Sequence, residues 1–247
     1  MSGNIGELER EFFDELAKSI QMVEFSKTTD SYIRCAFRAL GNLREKRVLD
    51  VGCGDGKNTY MMAARAGSVF GIDISMGMLK RADTLREGRK NLFILEMDSE
   101  NMGFREEAFD LIFGGYILHH LDIPPGLSEV YRVLKKGGMG VFIENFAFNP
   151  IINFFRENLV GRFGIPRYGT PGEHPLTYRD LKIAKSFFGR VEIRNPDLNF
   201  MKLFDRQIFR YRCPIFSRFC GLFDRWMYHS FKGLRKFSYT QVLVMRK

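Results

Sequence analysis

The sequence predicts an α/β fold, a doubly wound and mostly parallel seven-stranded sheet with helices on both faces, and three observations support it. Five short apolar runs recur between residues 47 and 144, and the polar stretches between them are long enough for crossover helices. Two further runs of alternating or β-branched residues follow late in the chain. The 247 residues, 45% hydrophobic and 27% charged, have the composition of a globular protein with one sizeable core.

The elements are expected in a simple order along the chain. Amphipathic segments form a helical lid over residues 1–44, and strand–helix units form the core over 45–145. A loop-rich insertion covers 146–188, and the last part, 189–247, holds two strands separated by a helical insertion at 195–238. The expected strands are 47–51, 69–73, 93–96, 109–114, 139–144, 190–194 and 239–245.

Several other classes of protein are disfavoured by the composition. The cysteines, Cys35, Cys53, Cys213 and Cys220, are widely spaced and form no CxxC pair, so we expect free thiols, no disulfide and no metal site. No apolar run approaches the roughly 18 residues that cross a bilayer, and acidic residues occupy the N-terminal segment where a signal peptide would be basic and apolar. We therefore expect a cytoplasmic protein, and the oligomeric state is left open.

The segment VLDVGCGDGKNT, residues 48–59, places three glycines at alternate positions directly after the first apolar strand. Gly52, Gly54 and Gly56 allow a tight turn and a close backbone approach to a ligand, which any Cβ would obstruct. A dinucleotide fingerprint needs its third glycine one place later, where this chain has Lys57. A Walker loop needs Ser or Thr directly after its Gly-Lys pair, which this segment lacks. The turn is therefore expected to hold a different kind of ligand.

Two acids follow neighbouring strands of the predicted sheet. Asp73 ends the second strand, where a carboxylate accepts hydrogen bonds from the two hydroxyls of a ribose. Asp98 lies just past the third strand, at a position suited to the edge of an adenine, and Ile74 offers an apolar surface to the face of that ring. Each acid alone would also fit a strand-ending turn or a solvated loop. In register with the glycine turn, the two acids predict a nucleoside site.

Between about residues 45 and 145 the chain resembles the class I S-adenosylmethionine-dependent methyltransferases, in the branch that acts mostly on small molecules. The motifs that carry the resemblance are VLDVGCGDG, GIDIS, FDLIFGGYILHHL and EVYRVLKKGGMGVFIE. The resemblance implies a Rossmann-like methyltransferase fold and S-adenosyl-L-methionine as the cofactor. The residues that it assigns to the cofactor are Asp50, Gly52, Gly54 and Gly56 around the methionine part, Asp73 at the ribose, Asp98 and Ser99 at the adenine, and Gly114 near the amino group. Cys53 and Ile74 are further cofactor-binding candidates.

Methyl transfer from a sulfonium is a direct displacement, so the protein mainly aligns acceptor, methyl and sulfur, and in some enzymes removes a proton from the acceptor. His119 and His120 follow the fourth strand and are the candidate catalytic residues, because a neutral imidazole deprotonates a phenol or enol near neutral pH. The same pair would also fit a structural role in shaping the pocket. Glu144 and His174 are further candidates.

The acceptor expected from these motifs is a small apolar or aromatic molecule. Enzymes that methylate base amines carry an Asn/Asp-Pro-Pro-aromatic turn after the fourth strand, whereas this chain has Gly-Gly-Tyr-Ile there. The Pro-Cys pair of cytosine C5 enzymes is absent from the sequence. Nucleic acid is therefore not the expected partner. Two alternatives stay open: an RNA methyltransferase that uses its basic C-terminal region, and a methyltransferase-fold protein without methyl transfer, such as a cyclase or partner subunit.

Positive charge is concentrated at the end of the chain. Residues 201–247 hold eleven Lys or Arg against two Asp, which accounts for the whole net charge of +9. An amphipathic helix is expected at 214–229. Three interpretations are open: an insertion packed on the core, attachment of residues 201–237 to an anionic membrane surface, and nucleic-acid binding. The aromatic content of this segment favours a lipid-like, isoprenoid, polyketide or aromatic acceptor.

Overall fold

The computed structural model describes residues 5–19, 31–86, 88–162, 173–209 and 211–247, and its strands form one seven-stranded sheet. The strands are β1 (Arg47–Val51), β2 (Ser68–Asp73), β3 (Leu92–Glu96), β4 (Phe109–Gly115), β5 (Leu134–Asn145), β6 (Arg190–Arg194) and β7 (Thr240–Arg246). Their order is β3-β2-β1-β4-β5-β7-β6, and β7 runs antiparallel to β5 and β6 whereas the other pairs are parallel. The mostly parallel, doubly wound sheet predicted from the sequence is confirmed.

Helices cover both faces of the sheet and its carboxyl edge. The α-helices in the described ranges are α1 (Ile5–Ser19), α2 (Ser31–Leu40), α3 (Lys57–Ala63), α4 (Met76–Thr84), α5 (Ile123–Val133), α6 (Pro150–Asn158), α7 (Tyr178–Phe187), α8 (Phe200–Phe204) and α9 (Pro214–Ser230). Short 3₁₀ helices lie at Leu118–His120 and Lys232–Phe237, and a π-helical turn lies at Asp205–Phe209. None of the described helices is long and apolar enough to traverse a bilayer.

Each face of the sheet carries its own apolar layer. One layer joins Leu49 and Phe142 to α5 and α7, and the other joins Val48 and Phe113 to α2 and α3. Because successive residues of β1 enter opposite layers, this strand is buried on both faces, as is usual for a parallel sheet. Neither layer covers the carboxyl ends of β1 and β4. The strand order reverses between these two strands, which is where ligands bind in open α/β sheets.

The N-terminal helix α1 is tied to the start of α4. The Asp14 carboxylate accepts hydrogen bonds from Ser75 Oγ at 2.6 Å and from the Gly77 backbone N–H at 2.7 Å. Arg81 Nη1 donates to the Ala17 carbonyl at 2.7 Å. Of the lid predicted over residues 1–44, the segments 1–4 and 20–30 lie outside the described residues. The described helix α1 lies against the carboxyl edge of the sheet.

Two insertions follow β5. In the first, predicted over 146–188, Asn149 caps α6 by accepting from the backbone N–H groups of Ile151 and Ile152. Residues 163–172 of that insertion lie outside the described residues. Thr177 and Asp180 form a capping box at the start of α7.

In the second insertion, one part of the apolar side of α9 faces outward. Ile215, Phe219 and Trp226 are exposed, whereas Cys220 and Asp224, on the opposite side of the helix, are buried. The Asp224 carboxylate accepts hydrogen bonds from the backbone N–H groups of Met201 at 2.8 Å and Lys202 at 2.9 Å. The apolar face predicted for this helix is therefore divided: Ile215, Phe219, Leu222 and Trp226 face solvent, whereas Phe216, Phe223 and Met227 are half-buried and Cys220 is buried.

Replacing Asp224 by alanine should lower the free energy of unfolding by about 2 kcal/mol, because two partly buried backbone N–H donors lose a charged acceptor. Urea denaturation followed by circular dichroism measures this loss. In the matched variant Asp83→Ala, the removed carboxylate is exposed and forms a 3.7 Å ion pair with Arg86. That control should differ from the parent protein by less than about 0.5 kcal/mol. Equal losses in the two variants would contradict the anchoring role of Asp224.

Candidate functional site

A cavity of about 780 Å³ lies at the carboxyl edge of the sheet, between the loops that follow β1, β2, β3 and β4. The structure brings together in its wall six of the ten residues predicted to hold a cofactor: Gly52, Gly54, Asp73, Ile74, Asp98 and Ser99. The helix α1 closes the opposite side with Gly6, Glu9 and Phe13. The volume falls in the range of small-molecule and cofactor sites, about 300–1,000 Å³.

The glycine turn after β1 forms the floor of this cavity. Gly52, Gly54 and Gly56 all have positive φ angles, of 65°, 52° and 78°. A Cβ on Gly52 would lie 2.6 Å from the Ile117 side chain, whereas a Cβ on Gly54 would meet no protein atom within 4 Å. Gly54 therefore presents bare backbone to the open cavity, the surface that a closely approaching ligand requires.

The carboxylate of Asp73 joins the glycine turn to the start of α4. One oxygen accepts from the Gly54 N–H at 2.8 Å, and the other accepts from the Ser75 N–H at 2.9 Å. Burial raises the pKa of Asp73, and the N–H donors of Ser75 and Gly54 partly oppose this rise. Each carboxylate oxygen keeps a second lone pair, so Asp73 has acceptor capacity left for ligand hydroxyls.

The other four predicted cofactor residues, Asp50, Cys53, Gly56 and Gly114, lie behind the cavity wall. Cys53 is buried, and a Cβ on Gly56 would lie 2.7 Å from the Ala82 Cβ. A Cβ on Gly114 would lie 2.6 Å from the Phe142 ring, and the neighbouring Gly115 lines the cavity in its place. These residues shape the wall through packing.

Asp50 is fully buried at the end of β1 and accepts a hydrogen bond from Thr59 Oγ1 at 2.6 Å. Burial raises the pKa of Asp50 to about 7, the Thr59 hydroxyl lowers it, and the nearby Asp73 carboxylate adds to the rise. The Asp50 side chain therefore links β1 to α3.

Asp98 and Ser99 form the third wall of the cavity, after β3. Asp98 Oδ1 accepts from the Glu100 N–H at 2.8 Å, so the carboxylate is fixed in a local turn, and Ser99 is buried beside it. Glu100 Oε1 in turn accepts from the Asp122 N–H at 2.7 Å. This last contact ties the loop of Asp98 and Ser99 to the segment that follows the two histidines.

His119 is buried between two carboxylates. Its Nδ1 lies 2.6 Å from Glu144 Oε2, and its Nε2 lies 3.5 Å from Glu173 Oε1. The second oxygen of Glu144 accepts from the N–H groups of Ile117 and Leu118, at 2.9 and 2.8 Å. Burial disfavours the imidazolium, but the Glu144 and Glu173 carboxylates outweigh it and raise the pKa of His119.

His120 lines the cavity, whereas His119 does not. His120 Nδ1 lies 3.1 Å from Glu9 Oε2 of α1, and the His120 ring packs edge-on against Phe13 with 5.4 Å between centroids. The rings of His119 and His120 lie 4.3 Å apart. Of the two predicted catalytic residues, His120 is the one exposed to a ligand in this cavity.

Sequence reasoning missed Glu9, Phe13 and Glu173. The motif EHPLT had pointed to His174, but its side chain is exposed, and it is the preceding Glu173 that reaches His119. Arg156 of α6 holds this segment by donating to the Glu173 carbonyl at 3.0 Å. The sequence feature that could have indicated Glu173 is its place in a loop between Pro171 and Pro175.

His119, His120 and Glu173 each offer a ligand atom within 4.8 Å of the others, so this set could hold a metal ion. In the described structure His119 Nδ1 lies 2.6 Å from Glu144 and its Nε2 lies 3.5 Å from Glu173, and these two carboxylates raise the pKa of His119 against the effect of burial. The expected absence of a metal site stays a prediction.

Comparison with known proteins gives matches to methyltransferases. Residues 49–142 match the family described as Methyltransferase domain. The aklanonic acid methyltransferase DauC of Streptomyces sp. strain C5 is 37% identical over 103 residues, 39% of this chain and 47% of that protein. A demethylmenaquinone methyltransferase of Symbiobacterium thermophilum is 32% identical over 157 residues, 60% of this chain and 62% of that protein. The chain thus spans between about half and three fifths of these relatives.

Solved structures share the fold over most of the chain. The geranyl diphosphate C-methyltransferase of Streptomyces coelicolor A3(2), in complex with Mg²⁺, geranyl diphosphate and S-adenosyl-L-homocysteine, has a TM-score of 0.66 at 13% identity and covers 99% of this chain and 97% of its own. The YcgJ protein of Bacillus subtilis has a TM-score of 0.60 at 16% identity and covers 87% of this chain and 97% of its own. At these identities the likeness establishes the fold.

Replacing Asp50 by asparagine should change how stability depends on pH. The folded-state pKa of about 7 lies above the unfolded value of 3.8, so the folded protein binds the extra proton and loses stability as pH rises towards 7. The free energy of unfolding of the parent protein should therefore fall relative to that of Asp50→Asn between about pH 5 and 7, and the difference should level off above pH 7. Urea denaturation at half-unit pH steps measures it, and parallel curves for the two proteins would refute the assignment.

Proposed function

We propose that this chain, a member of the class I S-adenosylmethionine-dependent methyltransferase family, is an active enzyme. It transfers a methyl group from S-adenosyl-L-methionine to an O, N or C atom of a small apolar or aromatic acceptor. The observation that carries the proposal is the cavity in which bare glycine backbone, the Asp73 carboxylate and the Asp98–Ser99 loop face one space. That combination suits a ligand with an amino-acid end, a ribose and a base.

The cofactor is proposed to lie along this wall. Gly54 leaves room for the methionine part, Gly52 lines the cavity beside it, and the remaining lone pairs of Asp73 accept from the ribose hydroxyls. The adenine ring lies against Ile74, with its edge towards Asp98 and Ser99. When bound, the cofactor supplies a sulfonium-activated methyl group, and the residues of this chain hold it in line with an acceptor.

His120 is proposed to act on the acceptor. The acceptor atom forms the new bond to the methyl carbon, the carbon–sulfur bond breaks, and the acceptor's proton passes to the His120 imidazole when that atom carries one. His119 and Glu144 are positioning residues, because Glu144 fixes the backbone of Ile117 and Leu118 and the His119 ring packs against His120. These contacts hold the segment after β4 in one conformation.

The proposed class of acceptor is inferred from the other residues that line the cavity. Phe13, Tyr116 and Leu121 give it apolar and aromatic surface, and the names of two relatives give aklanonic acid and demethylmenaquinone as their acceptors. An aromatic acceptor would pack against these rings and bring a phenol or enol oxygen, or the carbon beside it, near His120.

Asp73→Ala should weaken cofactor binding by about 10- to 100-fold, since a buried charged acceptor is lost from the ribose position. Isothermal titration calorimetry with S-adenosylhomocysteine measures the dissociation constant. Asp83→Ala, which removes an exposed carboxylate that does not line the cavity, is the charge-matched control and should leave the affinity unchanged. Unchanged affinity in Asp73→Ala would contradict the ribose assignment.

His120→Ala should lower turnover by about 100-fold or more and leave the affinity for S-adenosylhomocysteine within about twofold, because a proton acceptor is lost and the cofactor wall is intact. Turnover is measured as transfer of an isotopically labelled methyl group to a total lipid extract. Lys90→Ala, at an exposed position before β3, is the control and should keep full turnover. Full activity of His120→Ala would show that His120 has only a structural role. If the parent protein itself forms no labelled product, the proposed reaction is refuted.

A further inference from the structure

The helix α9 presents an apolar stripe to solvent. Ile215, Phe219, Leu222 and Trp226 follow one another at intervals of four, three and four residues, so they lie along one side of the helix. Their exposed fractions are 84, 54, 56 and 53%. An exposed contiguous apolar surface of this kind marks an interaction site.

The orientation of the stripe is fixed by contacts on the other side of α9. The buried Asp224 carboxylate accepts from the N–H groups of Met201 and Lys202, at 2.8 and 2.9 Å. One turn further on, Tyr228 donates from its hydroxyl to the Asn195 carbonyl at 2.8 Å. Turning the helix to bury the stripe would break these hydrogen bonds and bring the Asp224 carboxylate towards the surface. The outward face is therefore part of the folded structure.

Basic residues border the stripe. Arg218 and Arg225 each precede a stripe residue by one position, which puts both along the same flank of the helix, and both are exposed. Lys232 and Lys236 are exposed in the 3₁₀ helix that follows. With eleven basic residues against two acidic in 201–247, the apolar surface lies in the most positively charged part of the chain.

We infer that α9 docks the protein on the surface of a bilayer that contains anionic phospholipids. Aromatic and aliphatic side chains of the stripe enter the boundary between headgroups and acyl chains, and the flanking arginines meet the lipid phosphates. A second copy of the chain is a poorer match, because two such segments would bring positive charges together. Nucleic acid would match the charge but would leave Ile215 and Leu222 in water.

If the proposed methyl transfer is the function, docking on a bilayer also explains where the protein meets an apolar acceptor. This part of the inference rests on the proposed function. A lipid-soluble acceptor partitions into the bilayer on which α9 docks, so its local concentration at the protein is raised. The acceptor class that follows is a membrane-resident apolar molecule.

The single tryptophan of the sequence, Trp226, reports on the stripe directly. With the full chain and vesicles of phosphatidylcholine mixed with phosphatidylglycerol, tryptophan emission should shift to shorter wavelength and be quenched by brominated acyl chains. Vesicles of phosphatidylcholine alone should give little change, and high salt should reverse the binding because the charge attraction is screened.

Two pairs of substitutions separate the apolar and the electrostatic contributions. Phe219→Ser/Leu222→Ser should lower partitioning into the anionic vesicles by about tenfold or more, and Trp226 stays in place as the reporter. Arg218→Gln/Arg225→Gln should lower it by about 25-fold, about fivefold for each charge. The control Arg44→Gln/Lys90→Gln removes the same charge from exposed positions before β1 and β3 and should leave partitioning unchanged.

Three results would overturn the docking: no blue shift or co-sedimentation with anionic vesicles, a blue shift that grows with protein concentration in the absence of lipid, or a response to single-stranded RNA and none to vesicles. Calorimetry with S-adenosylhomocysteine on the same samples tests the cofactor site separately and verifies that each variant is folded. Loss of docking with intact cofactor binding refutes the membrane inference alone, and docking without cofactor binding refutes the proposed reaction alone.

Discussion

The carboxylate of Asp73 holds together the parts from which the site is built. It accepts from Gly54 in the turn after β1 and from Ser75 at the start of α4, so two loops that meet a ligand are fixed to one side chain. Ser75 also connects Asp73 to α1, because its hydroxyl donates a hydrogen bond to the Asp14 carboxylate. The N-terminal helix that closes the cavity is thus joined to its floor through three polar groups, and a change in any of them would alter both.

Much of the centre of the sheet could be predicted because strands such as β1 are buried on both faces. Residues 47–51 form a short apolar run between polar segments, and β1 occupies those positions. The start of β5 could not be predicted in the same way. Gly137 and Gly138 are typical of a helix end, yet Leu134 already pairs with Phe109, and a register shift between β4 and β5 accommodates the irregular segment. That pairing depends on a neighbouring strand, which a local pattern does not contain.

The site was predictable where one loop carries several of its residues and was not where distant segments meet. Asp73 and Gly54 belong to motifs that follow strand ends, so their place at the carboxyl edge follows from topology. Glu9 lies 111 residues before His120, and Glu173 lies 54 residues after His119. Locally, an acid in an N-terminal helix or in a proline-flanked loop resembles any solvated acid. Burial distinguishes them: Glu9 is 6% exposed, and it is the fold that removes it from water.

The orientation of α9 shows what an amphipathic pattern leaves undetermined. A helical stripe of apolar residues defines a face, and the same stripe can pack on a core or meet an apolar environment outside the protein. In α9 a polar residue, Asp224, determines which side of the helix faces the protein. Asp224 lies on the side opposite Ile215 and Trp226, and burying its carboxylate requires N–H donors, which the backbone at Met201 and Lys202 supplies. Once that acid is satisfied inside, the aromatic side has to face outward, so the one acidic residue of the helix determines which surface the protein offers to a partner.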